Sequence, residues 1–140
     1  SIHSSEIILA GVMLQAAFDF FMILIIIYFI FQAPVISRDV LSASIVAYLF
    51  VALFFANSFL ILELLSPGSF SISHDLIMTN ASVLNYFSFV TISTLGYGDV
   101  VPISSQAKTM AIAEALIGQI YLTVLIARLV GVYASENHKK

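Results

Sequence analysis

The side chains able to do acid, base, nucleophilic or metal chemistry are few and scattered. The 140 residues hold eight Asp plus Glu, three His and no Cys, which removes disulfides, thiolate catalysis and sulfur metal sites. Asp19, Glu63, Asp75, Asp99 and Glu114 are dispersed along the chain, whereas an enzyme needs reactive groups clustered in one pocket. No catalytic residue is predicted. The histidines are far apart and lack a ligand spacing such as His-Glu-x-x-His, so side chains offer no metal site. One stretch stands out for a different reason. Leu76 to Gly98 carries no charge, is rich in Ser, Thr and Asn, and closes on two glycines, Gly96 and Gly98, with one residue between them. A helix over Asn80 to Ile92 reaches only about 18 to 20 Å, half a membrane. Non-helical backbone just after it can exist at that depth only if protein shields it or if it lines a watery passage. The stretch therefore reads as a half-helix and a re-entrant loop.

The membrane setting comes from composition. The chain is 61% hydrophobic and 9% charged, against roughly 25% charge in soluble domains, and its mean hydropathy is +1.07. A water-soluble globule is excluded, and so is a transmembrane barrel, which needs alternating polar-lined segments of about ten residues. With five Lys plus Arg and a net charge of −3, no basic stripe can hold a nucleic acid. The three prolines, Pro34, Pro67 and Pro102, divide the chain into four parts, as expected where helices stop or turns begin. Ile7 to Gln32, Val40 to Leu62 and Ala107 to Val132 are long and apolar enough to span a bilayer. Nothing basic precedes the first run, which is also too long for a secretory signal core.

The predicted fold is an all-α membrane protein with three transmembrane helices plus the re-entrant element. An extra N-terminal helix occupies residues 1–34, and a second domain covers 38–134, with an outer helix at 40–65, a half-helix at 80–92, the loop at 94–99 and an inner helix at 105–133. A polar tail follows at 135–140. Arg38, Arg128, Lys139 and Lys140 can lie on one side, with Lys108 as the exception. By the positive-inside rule that side is the cytoplasm of a multi-pass protein in the cell membrane, and the N-terminus lies outside.

Thr91-Ile92-Ser93-Thr94-Leu95-Gly96-Tyr97-Gly98-Asp99 resembles the filter signature of potassium channels, Thr-x-Gly-Tyr-Gly-Asp, with Leu95 in the variable place. Five fixed letters match by chance roughly once per million positions. The resemblance runs through roughly residues 40–133 and implies a small prokaryotic two-span type of channel with an added span. It implies a homotetramer set in membrane lipid, conducting K⁺ passively, with K⁺ ions in the filter and no organic cofactor. Rings of backbone carbonyls from Thr94, Leu95, Gly96, Tyr97 and Gly98 then replace the water around the ion. Successive carbonyls reach one axis if the backbone alternates with positive φ, which Gly96 and Gly98 allow. Thr94 can add its hydroxyl, and Leu95 and Tyr97 turn away to brace the loop. The aromatic pair behind the filter corresponds to Tyr86 and Phe87: Tyr86 can hydrogen-bond Asp99, while Phe87 packs. Val90 stands where some members have a carboxylate. Gly118, nineteen residues after Asp99, takes the place of the inner-helix hinge glycine, or is a small residue for close helix packing. Gln119, Thr123, Ile126 and Ala127 would face the cavity.

Two buried-depth carboxylates leave alternatives open. Asp19, mid-span, is a packing residue with Tyr48 as partner or a gating or proton-sensing group. Glu114, one turn before Gly118, braces the half-helix or adds negative potential near the pore. Glu63, His74 and Asp75 read as solvated loop residues. Span one lacks the repeated basic residues of a voltage sensor. No ligand-binding domain fits in 140 residues, which leaves room for a regulatory domain cut away after Lys140 or carried on a separate chain. The competing readings are a weakly selective monovalent cation channel, whose filters tend to lose the Tyr kept here as Tyr97, a transporter pore subunit, and a membrane enzyme or non-conducting regulatory subunit.

Overall fold

The structure is a computed structural model that describes residues 2–33, 37–72 and 80–137. Its elements are α1 (Ile2–Gln32), α2 (Arg38–Leu65), β1 (Phe70–Ile72), α3 (Asn80–Ile92), β2 (Val100–Pro102) and α4 (Ser105–Asn137). Three of the helices are long and apolar enough to cross a membrane, over Ser5–Gln32, Arg38–Leu65 and Ser105–Gly131. Helix α4 continues through Asn137, so residues 135–137, expected in the polar tail, belong to the helix. The apolar pattern ends earlier, but Ala, Ser, Glu and Asn after it contain no breaker. Pro34, His74, Asp75, Lys139 and Lys140 lie outside the described residues.

Helix α1 buries Ala16, Asp19, Ile23 and Ile30, steps of three, four and seven that lie on one helical stripe. That stripe packs along α2, with Phe18 against Phe50 and Phe20 against Phe54 at ring-centroid distances of 6.5 and 5.7 Å. The other faces of α1 leave large apolar side chains open, Leu14 and Phe31 at 74% and 73% exposure. Such a surface suits lipid or another apolar partner, not water.

Asp19 is fully buried and accepts hydrogen bonds from Asn57 Nδ2 at 2.8 Å and Gln15 Nε2 at 3.0 Å. Its expected partner, Tyr48, instead donates to the Ile92 carbonyl at 2.9 Å. Depth matching along an antiparallel pair ignored the lean of side chains toward each helix's own N-terminus. Asp19 leans away from the α1–α2 turn and Asn57 leans toward it, so they meet about a turn beyond the matched level.

The core is aromatic and joins α2, β1 and α3. Phe59 is fully buried, with ring centroids 6.1 Å from Phe55, 5.4 Å from Phe70 and 5.2 Å from Phe87. Strands β1 and β2 pair antiparallel, Phe70 with Pro102, Ser71 with Val101 and Ile72 with Val100. This ribbon, which sequence patterning does not predict, ties the segment before α3 to the segment after the loop; three residues per strand are too few to show an alternation. Glu63, half-buried, has a structural role beyond that of a solvated loop residue. Its carboxylate accepts from the Gly68 and Ser69 amides at 2.7 and 2.9 Å and closes the Ser66-Pro67-Gly68 turn, where Gly68 has φ +85°.

Candidate ion-conducting loop

Helix α3 is apolar on the side that meets the aromatic core, where Val83, Leu84 and Phe87 are buried, and it stops at Ile92 in a loop that folds back on its own last turn. The Ser93 amide donates to the Phe89 carbonyl at 3.2 Å and Thr94 to Thr91 at 3.0 Å. Leu95 and Gly96 both donate to the Val90 carbonyl, at 2.9 and 3.3 Å. These bonds turn the amides of Ser93 through Gly96 back onto α3. Among the described residues, no hydrogen bond within the chain ends on a carbonyl of Thr94, Leu95, Gly96, Tyr97 or Gly98. Residues 93–98 are all exposed. The loop therefore presents a row of main-chain oxygens that nothing in its own chain satisfies, and such groups need a partner at membrane depth.

The backbone angles fit this division. Thr94, Gly96 and Gly98 have φ of +61°, +59° and +79°, and the residues between them do not lie in that region. Glycine takes this conformation freely. Thr94 does not: a β-branched residue there stores about 1–3 kcal/mol of strain. Its position is enforced by the amide bonds on either side. Sequence reasoning assigned positive φ only to the glycines and missed Thr94, for which residue type gives no cue.

Behind the loop, Tyr86 Oη donates to Asp99 Oδ2 at 2.6 Å, linking α3 to the far end of the hairpin. The other Asp99 oxygen accepts from the Val100 amide at 3.0 Å. Phe87 packs in the aromatic core, 5.4 Å from Phe70. Leu95 and Tyr97 are 54% and 66% exposed, so among the described residues no surface of the same chain covers them.

Helix α4 passes beneath. Ser104 caps it, accepting from the Ala107 amide through its hydroxyl at 3.1 Å and from the Lys108 amide through its carbonyl at 3.0 Å. Glu114 is fully buried and hydrogen-bonds Ser88 of α3, the contact expected of a brace. Gly118 lies where α4 meets the end of α3: a Cβ there would come 2.6 Å from Ile92 Cγ1 and 3.0 Å from the Ile92 carbonyl oxygen. Gln119, Thr123, Ile126 and Ala127 are exposed along one helical stripe, apart from the face that carries Glu114 and Gly118. Tyr121 donates to the Ser44 carbonyl at 2.6 Å and stacks on Tyr48 at 6.0 Å. Arg128 donates to the Ile30 and Ala33 carbonyls at 2.7 and 3.1 Å, capping the end of α1. Ser88, Tyr48, Tyr121 and Arg128 were not read from sequence as site or bracing residues. Their cue was available: a polar group inside a span must find a partner.

Three apolar helices, a half-length helix and a loop with its carbonyls unpartnered define a helical membrane channel pore. Residues 40–135 match the family described as Ion channel, and the chain belongs to this potassium channel pore-domain family. Over 45 residues it is 47% identical to Two-pore potassium channel 4 of Arabidopsis thaliana, 32% of this chain and 16% of that protein. Over 64 residues it is 38% identical to Two pore potassium channel c of Oryza sativa subsp. japonica, 46% of this chain and 14% of that one. Over 100 residues it is 36% identical to Protein LctB of Bacillus caldotenax, 68% of this chain and 73% of that one. The chain thus spans only a small part of the two plant proteins. No solved structure matches it.

Proposed function

We propose that four copies of the chain assemble around an axis and pass K⁺ selectively and passively across the cell membrane, with K⁺ held by carbonyls of Thr94, Leu95, Gly96 and Tyr97. The observation that carries this reading is the loop's division of labour: the amides of Ser93 to Gly96 bound back to α3, the carbonyls of Thr94 to Gly98 without a partner among the described residues, and positive φ at every second residue from Thr94 to Gly98. One loop offers one carbonyl per level, whereas a dehydrated ion needs several, so copies must surround it. Leu95 and Tyr97, exposed within one chain, then find their packing on a neighbouring copy. The names of the two plant relatives support potassium as the ion.

In such an assembly the negative C-terminal end of α3 favours a cation at mid-membrane. Gln119, Thr123 and Ile126 line the water-filled cavity below, the Thr94 hydroxyl meets the ion as it sheds water, and Gly118 lets the inner helix sit close against the end of the half-helix. The bond from Arg128 to Ala33 brings Arg128 to the α1–α2 turn that leads into Arg38, which supports a cytoplasmic location for that end and an outer location for the N-terminus. Reconstitution into vesicles tests the function. Potassium flux blocked by barium with sodium excluded is the expected result; equal sodium and potassium flux refutes selectivity.

A further inference from the structure

Glu114 takes no part in the conduction path, yet its surroundings fix its chemistry. It projects from α4 into a fully buried position facing Ser88 of α3, which is also fully buried. Ser88 Oγ lies 2.7 Å from the Ala52 carbonyl oxygen of α2 and in a second, short hydrogen bond with Glu114 Oε1. A serine hydroxyl has one hydrogen and spare lone pairs, and a carbonyl oxygen has no hydrogen to offer. The bond to Ala52 therefore takes the serine's hydrogen. The bond to Glu114 then needs a hydrogen from the carboxyl group, accepted by a Ser88 lone pair.

We propose that Glu114 is held as a neutral carboxylic acid and that its proton is a structural ligand of the pore, joining the inner helix to the half-helix and, through Ser88, to the outer helix. The second carboxyl oxygen has no hydrogen-bond partner among the described residues. A neutral carbonyl lone pair left bare there is a modest penalty, whereas a carboxylate's charge left bare in a dry site is a large one. The titratable group facing Glu114 from α2 is Tyr48, whose hydrogen is already given to the Ile92 carbonyl. From α3 it meets Ser88. The other buried carboxyl, Asp19 on α1, is occupied by Asn57 and Gln15. On α4 itself, Lys108 is exposed and Arg128 is bound to the end of α1. No described cation neutralises an ionised Glu114.

The proton bears on the pore because Ser88 stands two residues before Val90, whose carbonyl holds the Leu95 and Gly96 amides. Ionisation draws the Ser88 hydrogen from Ala52 to the carboxylate and removes that hydrogen bond between the half-helix and α2, two residues before the carbonyl that holds those amides. Stability supplied by a bound proton is present at low pH and lost as pH rises through deprotonation. Glutamine keeps the pattern without the proton, since its side-chain NH₂ donates to Ser88 while Ser88 still donates to Ala52.

The effect on current rests on the channel reading above; the protonation state does not, so the closing experiment reads the state directly. Infrared spectra of the full chain in lipid at neutral pH are compared for wild type, Glu114→Gln, Ser88→Ala and Asp19→Asn. The expected result is a protonated-carboxyl band in wild type that Glu114→Gln removes, Ser88→Ala shifts and Asp19→Asn leaves in place. Loss of a carboxylate band in Glu114→Gln, with the protonated-carboxyl region unchanged, overturns the proposal. If Glu114→Gln does not fold, an unshifted protonated-carboxyl region in Ser88→Ala overturns it equally. In conducting vesicles, wild-type flux falls as pH rises while Glu114→Gln flux holds; a parallel fall in both refutes the link from proton to pore. Vesicles that conduct nothing would refute the channel reading and leave the spectra to decide the proton.

Discussion

Replacing Gly118 by alanine separates the two readings of that glycine. The added Cβ would sit 2.6 Å from Ile92 Cγ1 and 3.0 Å from the Ile92 carbonyl oxygen. Neither neighbour can retreat freely: the Ile92 side chain is 1% exposed, and its carbonyl is held by the Tyr48 hydroxyl at 2.9 Å. Overpacking of this kind costs about 1–3 kcal/mol, offset by about 1 kcal/mol from alanine's better helix propensity. The net loss is up to about 2 kcal/mol, or up to about thirty-fold in the folded-to-unfolded ratio. Denaturant unfolding of the purified protein in detergent, followed by circular dichroism, measures it. Ile92→Ala alone opens a cavity and costs about 2–5 kcal/mol, but it also removes the clashing Cγ1. The double variant is therefore expected to be more stable than the sum of the single losses, by on the order of 1 kcal/mol. Additive losses would refute the contact. A Gly118→Ala protein of unchanged stability and altered gating would make Gly118 a bending point instead.

Three further substitutions probe other parts of the molecule. Asp19→Asn sets an NH₂ group against one of the two amide donors that Asp19 now accepts, leaving a buried donor unpaired at about 1–3 kcal/mol; α1 should become more open to proteolysis while the pH dependence of current stays as in wild type, and a displaced pH curve would make Asp19 a sensor. Arg128→Gln removes bonds to the Ile30 and Ala33 carbonyls from a half-buried position, worth about 1 kcal/mol; hydrogen exchange should quicken in the last turn of α1 alone, and unchanged exchange there would contradict the capping role. Leu95→Val alters a side chain and keeps the carbonyl, so the potassium-to-sodium reversal potential should not move; a shift would place selectivity in the side chain.

The parts of the molecule legible in the sequence are those set by length and residue type. Apolar runs gave the three long helices, and the charge-free, glycine-ended stretch gave the half-helix and its loop. Asp99 and Tyr86 could be paired before the fold was known because the filter pattern fixes both their positions. What stayed hidden depends on which helix faces which. The Asp19 to Asn57 contact needs the lean of two side chains as well as their depth. Ser88 looks like any hydroxyl on an apolar helix until Glu114 and Ala52 are brought beside it. The positive φ of Thr94 is imposed by bonds to the preceding helix, against its own preference, and the β1–β2 ribbon is too short to leave a pattern.

The central claim is that main-chain oxygens of one short hairpin, repeated around an axis, hold the ion. Anomalous diffraction from crystals grown with a heavier potassium substitute, rubidium or thallium, tests it most directly. A column of peaks on a four-fold axis, each level ringed by carbonyls from Thr94 to Gly98, is the predicted result. Peaks away from any shared axis, or an axis lined by the Leu95 and Tyr97 side chains with the carbonyls turned outward, would contradict the account.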